Sequence, residues 1–314
     1  MFEGSSLCVV GNINRDVKTS PLHAGEHLLR DGESSVSSIS ETIGGGGANS
    51  AFAAAAMGAR LSFVGKIGED PLGARLERTL ARHGLISFLA KDPAHPSGTS
   101  IALALDNGHR HFVSCLPANE ALTFEDIDLR SLEGMQHLLR ADVWFSEAML
   151  FGGNARLFQA ATERGIPISL DLNWDPQWGH APAAQIEARK QAVRDVLPLV
   201  TLAHGNVREL MEFTGAPDLD SALRNLTAWG AKAVVAHLGA QGAGYYQEGE
   251  LLIEPPAPVR SLVNSAGTGD VLSVCLMLLH QRADIAIAER LRTANGIVAQ
   301  FMEGSLSLIP ALAD

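Results

Sequence analysis

The sequence predicts a mixed α/β fold built on a mostly parallel sheet with helices on both faces. The main observation is that short apolar runs alternate along the chain with amphipathic helical stretches. The composition agrees, because 46% of the 314 residues are hydrophobic and 19% are charged, as in a folded chain that buries a sizeable core. Ligands of such sheets bind at the carboxyl ends of the strands, so functional residues are expected there.

The predicted elements follow one another in strand–helix order. An apolar run at 7–10 ends at Gly11 and Asn12, and an alanine-rich helix over 49–57 ends at Gly58. Further strands are predicted at 61–64, 143–145, 168–172, 199–202 and 233–238, and further helices at 72–82, 155–164, 183–196, 207–213, 219–229 and 271–280.

Two segments, at 28–42 and 99–114, depart from this alternation. The first interleaves Ser, Glu and Val, and the second reads TSIALALDNGHRHFVS. Asp106, Asn107 and Gly108 are typical turn residues, so the second segment is predicted to be a β-hairpin. Together the two segments predict a small β lid, which is also a candidate dimer surface.

The charge excludes some classes of partner. Lys and Arg total 24 against 35 Asp and Glu, a net charge of −11, which argues against nucleic-acid or membrane-surface binding. The N-terminus lacks the basic and apolar regions of a signal peptide, and no apolar run approaches the length of a membrane span, so we expect a cytoplasmic protein. The three cysteines, Cys8, Cys115 and Cys275, lie in apolar surroundings and predict core packing.

The most informative motif is NSAGTGD at 264–270, which precedes an apolar helical run. The small residues Ala266, Gly267 and Gly269 allow a sharp turn and a close approach of the backbone to a ligand. The N–H groups at the start of a helix then form an anion site that suits a phosphate. Asp270 has two interpretations: it complements the helix dipole, or it is a general base beside an electrophilic phosphorus.

A second motif is the run of four glycines at 44–47, followed by Asn49 and a helix. One interpretation is a flexible loop. The other is a backbone that closes around a polyol, with Asn49 donating and accepting hydrogen bonds to its hydroxyls.

These motifs resemble those of the ribokinase-like (PfkB) carbohydrate kinases. GGGGANSAFAAAAMGARLSFVGKIG is similar to the first family signature, and NSAGTGD is similar to the C-terminal one. Matching elements lie in the right order between them, and the resemblance covers residues 6–310. It implies a ribokinase-like three-layer sandwich with a β lid, formed by residues 1–314 as a single kinase domain. It also implies a homodimer through the lid.

The resemblance implies a role for each matching residue in ATP-dependent phosphorylation. Asp270 would take the proton of the attacking sugar hydroxyl, for which a carboxylate with an ordinary low pKa is sufficient, because phosphoryl transfer needs mostly positioning and charge stabilisation. The residues implied to hold the phosphoryl charge are Ala266, Gly267, Thr268 and Gly269. The residues implied to contact the nucleotide are Asn206, Gly239, Gly242 and Asn295.

Asn206 and Glu209 resemble the family pair that organises Mg²⁺, with Glu209 acting through water; alternatively they are a surface capping pair. On the sugar side, the matching positions are Asn14, Asp16, Gly45, Gly46, Asn49 and Glu147. Alternating carboxylates and amides suit vicinal hydroxyls, each of which donates and accepts.

Two departures bear on the substrate and on a monovalent cation. Asn264 stands where the family usually has an Asp associated with K⁺, which puts K⁺ activation in doubt. Asp175 replaces the Arg of a segment similar to that of fructokinases; an Arg there would pair with an anionic substrate and Asp175 would repel one. The sequence therefore favours a small neutral sugar. The alternatives are a nucleoside kinase of the same family and a catalytically weak sugar- or nucleotide-binding protein.

Overall fold

A computed structural model describes residues 2–263, 267–306 and 310–313. Two sheets organise this part of the chain. Its strands are β1 (Ser6–Val10), β2 (Asn14–Thr19), β3 (Ile39–Gly44), β4 (Arg60–Gly68), β5 (Ile86–Asp92), β6 (Gly98–Ala104), β7 (Arg110–Cys115), β8 (Leu138–Arg140), β9 (Ile168–Asp171), β10 (Leu202–Asn206), β11 (Ala233–His237), β12 (Ala243–Gln247) and β13 (Glu250–Glu254).

The large sheet has nine strands in the order β13-β12-β11-β10-β9-β8-β1-β4-β5. All neighbours from β11 to β5 pair in parallel, and only β12 and β13 at one edge run antiparallel. The predicted mostly parallel sheet is therefore confirmed.

Helices cover both faces of this sheet. They are α1 (Gly46–Ala56), α2 (Pro71–Arg82), α3 (Pro117–Glu120), α4 (Asn154–Thr162), α5 (Ala183–Arg194), α6 (Val207–Thr214), α7 (Leu219–Ala228), α8 (Thr268–His280) and α9 (Ile287–Met302). One apolar core lies between the sheet and α1, α2, α8 and α9, and a second lies between the sheet and α4 to α7. Alternate β1 residues enter opposite cores: Leu7 and Val9 face the first, and Cys8 and Val10 face the second. Of the helices in the described ranges, none is long and apolar enough to cross a membrane.

The small sheet has four strands in the order β3-β2-β6-β7. The hairpin predicted around Asp106 to Gly108 is confirmed, because β6 and β7 pair antiparallel on either side of it. The other lid strand begins later than the predicted segment 28–42: residues Glu26–Leu29 form a short 3₁₀ helix, and the strand covers Ile39–Gly44. The sheet also includes β2, which sequence patterning did not assign to the lid.

Three other predictions are wrong. Residues 143–145 form a turn, and the strand of this region is β8, which ends at the buried Arg140. The segment predicted as a strand at 199–202 contains the end of a 3₁₀ helix, and β10 begins only at Leu202. Cys115 is exposed on the lid, whereas Cys8 and Cys275 are buried as expected.

Candidate active site

Five of the predicted site residues gather at the carboxyl edge of the large sheet: Asn206, Glu209, Gly267, Gly269 and Asp270. A cavity of about 170 Å³ opens there, at the ends of β9, β10 and β11 and at the start of α8. Its lining consists of Asp171, Asn173, Asn206, Glu209, His237, Gly267, Gly269 and Asp270. The parallel strands place their carboxyl ends at one edge, which is where α/β sheets hold ligands.

The start of α8 has the geometry that an anion site needs. Gly267 precedes the helix with a φ of 83°, a left-handed conformation that favours glycine. Gly269 packs against the ring of His237, and a Cβ added at Gly269 would lie 3.1 Å from its Nδ1. Gly267 and Gly269 line the cavity together with Asp270. Ala266 and Asn264 lie outside the described residues.

Asp270 is a weaker acid than an ordinary aspartate, although an ordinary low pKa would be sufficient for its predicted role. Burial and the nearby carboxylates, with Asp142 the strongest of them, raise the pKa of Asp270 to about 7, although Asn49 hydrogen-bonds to it. Both a buried carboxyl and a like charge beside it disfavour ionisation. A carboxyl with this pKa is suited to accept a proton near neutral pH.

Asn49 contributes a second polar atom to this region. Its Oδ1 is buried and has no hydrogen-bond partner within the part of the chain that the structure describes. A buried acceptor without a partner is costly unless a ligand or water supplies a donor. Asn49 thus has an unpartnered acceptor beside Asp270, and its predicted contact with a sugar hydroxyl stays a prediction.

Asp142 is a central residue that sequence patterning missed. It follows β8, is 7% exposed, and has a positive φ of 55°. Its carboxylate accepts the backbone N–H groups of Asn12 (2.8 Å), Gly47 (2.8 Å) and Gly46 (3.3 Å). It thereby joins the end of β1 to the start of α1, and it fixes the glycine loop beside Asp270.

Neighbouring groups lie too close to the glycines at 44–47 for side chains at these positions, so the flexible-loop interpretation is not supported. Gly45 has a φ of 97°, and a Cβ there would lie 2.4 Å from the Asn12 carbonyl oxygen and 3.0 Å from Asn14 Oδ1. A Cβ at Gly46 would lie 2.7 Å from the Asp142 carboxylate, and one at Gly44 would collide with the Asp16 carboxyl. Side chains would therefore displace the polar groups around the loop.

Asn14 and Asp16 lie on β2, at the lid side of this loop. The Asn14 Nδ2 donates to Asp16 Oδ1 at 2.8 Å, and Asn14 is buried. Burial raises the pKa of Asp16, with Lys18 acting in the opposite direction. The amide and the carboxylate thus form one hydrogen-bonded pair at the predicted sugar positions.

Asn206 and Glu209 form a helix-capping pair and also line the cavity. They form a capping box at the start of α6: Glu209 N donates to Asn206 Oδ1 (3.0 Å), and Asn206 N donates to Glu209 Oε2 (2.8 Å). Both also line the cavity with Asp270. The capping interaction holds Glu209 in place without turning it away from the cavity.

The oxygen groups of this cavity fit a hard cation. Asp171 was not among the predicted site residues; burial and the charges of Glu209 and Asp270 raise its pKa well above the ordinary value. In the described ranges, no three His, Cys, Asp or Glu side chains are arranged to hold a metal directly. Mg²⁺ commonly binds through one or two carboxylates, waters and substrate phosphates, so Asp171 and Glu209 suit it in that mode.

Glu147 lies away from Asp270. It follows the turn at 143–145, its side chain is 64% exposed, and it lines a separate, larger cavity of about 450 Å³. The inner face of the lid connects the two regions: Asp16 on β2 is opposite Ser100 on β6, and Ser100 Oγ lies 2.7 Å from Ser114 Oγ, which lines the larger cavity.

Gly242 and Asn295 meet at one backbone segment beyond β13. The Asn295 Nδ2 donates to the carbonyls of Glu254 (3.0 Å) and Pro255 (2.8 Å). Gly242 packs against the same backbone, where a Cβ would collide, while Gly239 faces open space with a φ of 58°. The structure thus gives Gly242 and Asn295 packing roles, and their predicted nucleotide contact stays a prediction.

Comparison of the whole fold with solved structures identifies the fold class. A structure from Escherichia coli, described as a putative ribokinase II in complex with ATP and Mg²⁺, superposes with a TM-score of 0.77 at 19% identity over 96% of each chain. The predicted ribokinase-like sandwich with a small second sheet is thereby confirmed.

Sequence comparison then gives the family. A ribokinase from Arabidopsis thaliana is 23% identical over 282 residues, which cover 85% of this chain and 68% of the relative. An aminoimidazole riboside kinase from Salmonella typhimurium is 25% identical over 282 residues, which cover 85% and 84%. The pfkB family carbohydrate kinase profile matches residues 5–278, and the chain belongs to this family. The predicted carbohydrate kinase is therefore confirmed at the level of the family.

Proposed function

We propose that the protein transfers the γ-phosphoryl group of ATP to a hydroxymethyl group of a small neutral sugar. The observation that supports this most is the position of Asp270, on the first turn of α8 and beside the glycine loop that Asp142 fixes. A proton acceptor and an anion site then lie at one edge of the sheet.

In the proposed reaction, Asp270 accepts the proton of the attacking hydroxyl. The hydroxyl oxygen forms a bond to the γ-phosphorus, the bond from that phosphorus to the β-phosphate oxygen breaks, and ADP leaves. The N–H groups from Gly267 to Gly269 at the start of α8 stabilise the negative charge that develops on the phosphoryl oxygens. Thr268 and Ala266 complete the anion loop in the family resemblance.

Bound Mg²⁺ would neutralise phosphate charge during transfer. Support comes from the related E. coli structure, which is a complex with ATP and Mg²⁺, and from the carboxylates of Asp171 and Glu209 at the same cavity. We assign these two residues to hold Mg²⁺ through water. Asn206, Gly239, Gly242 and Asn295 are proposed to line the nucleotide position.

The sugar is proposed to bind between the lid and the glycine loop. Asn14, Asp16 and Asn49 offer the hydrogen-bonding groups, and Gly45 and Gly46 let the sugar approach the backbone. The Asn49 Oδ1 that has no partner within the described residues supports this assignment, because a sugar hydroxyl would supply the missing donor.

A riboside is the second candidate substrate. The cavity of about 450 Å³ beside the lid offers room for a group larger than a simple sugar, and one relative is named an aminoimidazole riboside kinase. The test is release of ADP from Mg-ATP with D-ribose, D-fructose, adenosine and inosine, each with and without K⁺. Turnover of a neutral sugar without a K⁺ requirement supports the proposal. Turnover of ribosides alone would replace it, and ATP and sugar binding without turnover would indicate a binding protein.

We also propose a homodimer through the outer face of the small sheet. Ile101 and Val113 are directly opposite each other on the face turned away from Ser100 and Ser114, and they are 40% and 53% exposed. A second copy would cover this apolar face. Light scattering should give twice the chain mass for the wild type and the monomer mass for Val113→Asp; a wild-type monomer would refute the proposal.

A further inference from the structure

The larger cavity is lined by a buried ion pair between Asp175 and Arg189. Asp175 is 0% exposed and Arg189 of α5 is 1% exposed. The Arg189 Nε donates to Asp175 Oδ2 at 2.7 Å, and its Nη2 donates to Asp175 Oδ1 at 3.2 Å and to the Trp144 carbonyl. Asp175 is therefore paired with Arg189, so the expectation that an unpaired Asp175 repels an anionic substrate is wrong.

One donor group of Arg189 remains unused. Its Nη1 is buried and has no hydrogen-bond partner within the described ranges, and the closest carboxylate oxygen is Glu147 Oε1 at 3.6 Å. That separation is too long for a direct hydrogen bond. A ligand hydroxyl that approaches both atoms from the cavity side, about 2.8 Å from each, can accept from Arg189 Nη1 and donate to Glu147 Oε1.

The charges around the cavity disfavour anionic ligands at Arg189 Nη1. Arg189 is the single cation of the lining, and Glu120, Glu147 and Asp175 are the carboxylates, which leaves two net negative charges. These negative charges would repel a carboxylate on the ligand, whereas they would not repel a neutral hydroxyl. The cavity thus pairs one buried donor with an environment unfavourable to anions.

We propose that Arg189 is a specificity-determining residue, which with Glu147 binds one hydroxyl at the end of the substrate remote from the phosphorylated group. Asp175 is the positioning residue that holds the guanidinium and offsets its charge. This inference rests on the proposed function for its location, because the larger cavity continues the sugar site along the inner face of the lid through Ser100 and Ser114.

The test measures binding rather than turnover. Calorimetry gives the Kd of D-fructose and D-ribose as neutral probes and of D-gluconate as a carboxylate probe, for the wild type, Asp175→Asn and Glu147→Gln. The quantity compared is the Kd of D-gluconate divided by that of the tighter neutral sugar. Each variant removes one negative charge near Arg189, so the ratio should fall at least about tenfold in both. Glu187→Gln, on an exposed part of α5, is the matched control and should leave the ratio unchanged.

The outcomes separate specificity from a structural role. If the ion pair only stabilises α5, Asp175→Asn will weaken all three ligands equally and leave the ratio constant, and the inference is wrong. It is also wrong if the wild type binds D-gluconate as tightly as the neutral sugars, or binds neither neutral sugar. Glu147→Gln keeps the test valid if Asp175→Asn fails to fold, because Glu147 is exposed. Absence of ADP release with intact sugar binding would refute the proposed function alone.

Discussion

The raised pKa of Asp270 makes a quantitative prediction about activity. A carboxyl with a pKa of about 7 is ionised in about half of the molecules at pH 7 and in about one in eleven at pH 6. If ionised Asp270 is the base, kcat/KM should fall about fivefold between pH 7 and pH 6, and about tenfold over the next unit. An ordinary aspartate would leave activity constant across this range.

Asp142→Asn tests the cause of the shift. Asp142 is the strongest of the charges that raise the pKa of Asp270, so its neutralisation should move the midpoint of the pH profile to lower pH by about one unit. The midpoint is informative even if the variant is slower, because the rate and its pH dependence are separate readouts. Asp284→Asn, an exposed residue paired with Arg282, is the control and should keep the wild-type midpoint.

The assay is ADP release between pH 5 and pH 9 at saturating Mg-ATP and varied sugar, with thermal unfolding followed at each pH to confirm that the proteins are folded. A wild-type profile that is flat down to pH 5.5 would refute the role of Asp270. A profile with the same midpoint in wild type and Asp142→Asn would refute the electrostatic explanation.

Three further changes test individual parts of the structure. Burial lowers the pKa of His137 to about 3, so below pH 6.5 the unfolded chain binds a proton that the folded chain does not. This difference should lower the free energy of unfolding by about 2 kcal/mol at pH 5. In urea unfolding, His137→Gln should therefore lose less free energy of unfolding between pH 7 and pH 5 than the wild type. An equal loss in both proteins would contradict this. Asn206→Ala removes the α6 cap and should lower the free energy of unfolding by about 1 kcal/mol. Asn206→Asp keeps the cap and should keep the stability, so equal stability of the two variants would show that the cap contributes little. Gly45→Ala should raise the KM for the sugar at least about tenfold, because the new Cβ collides with the Asn12 carbonyl and must shift the loop beside Asn14. Gly58→Ala carries similar backbone strain in open space and should change stability without changing KM. Unchanged KM in Gly45→Ala would remove the loop from the sugar site.

Those parts of the fold that depend on local sequence were predictable. The glycine loop, the start of α8 and the turn at Asp106 to Gly108 are each specified by residues within a few positions of one another. The capping signal of Asn206 and Glu209 is local in the same way. Such features need no knowledge of distant partners.

The missed features depend on contacts between distant residues. The strand β8 was missed, and it ends in a buried charged residue, Arg140. The Arg140 guanidinium donates to Asn154 Oδ1 and to the Val10 carbonyl, the latter 130 residues away. Asp142 became central only because β8 lies beside β1 and so brings it to the glycine loop. Arg189 on α5 neutralises Asp175, which lies in the loop after β9, and no local pattern indicates this pairing.

The most direct test of the central claim is a comparison of Asp270→Asn with wild type in a single turnover with Mg-ATP and the sugar that wild type uses. Asparagine keeps the size of the side chain but cannot accept the proton. The account predicts a loss in the rate of phosphoryl transfer of about a hundredfold or more, with ATP and sugar affinities within a few-fold of wild type. A variant that forms the sugar phosphate at close to the wild-type rate would contradict it.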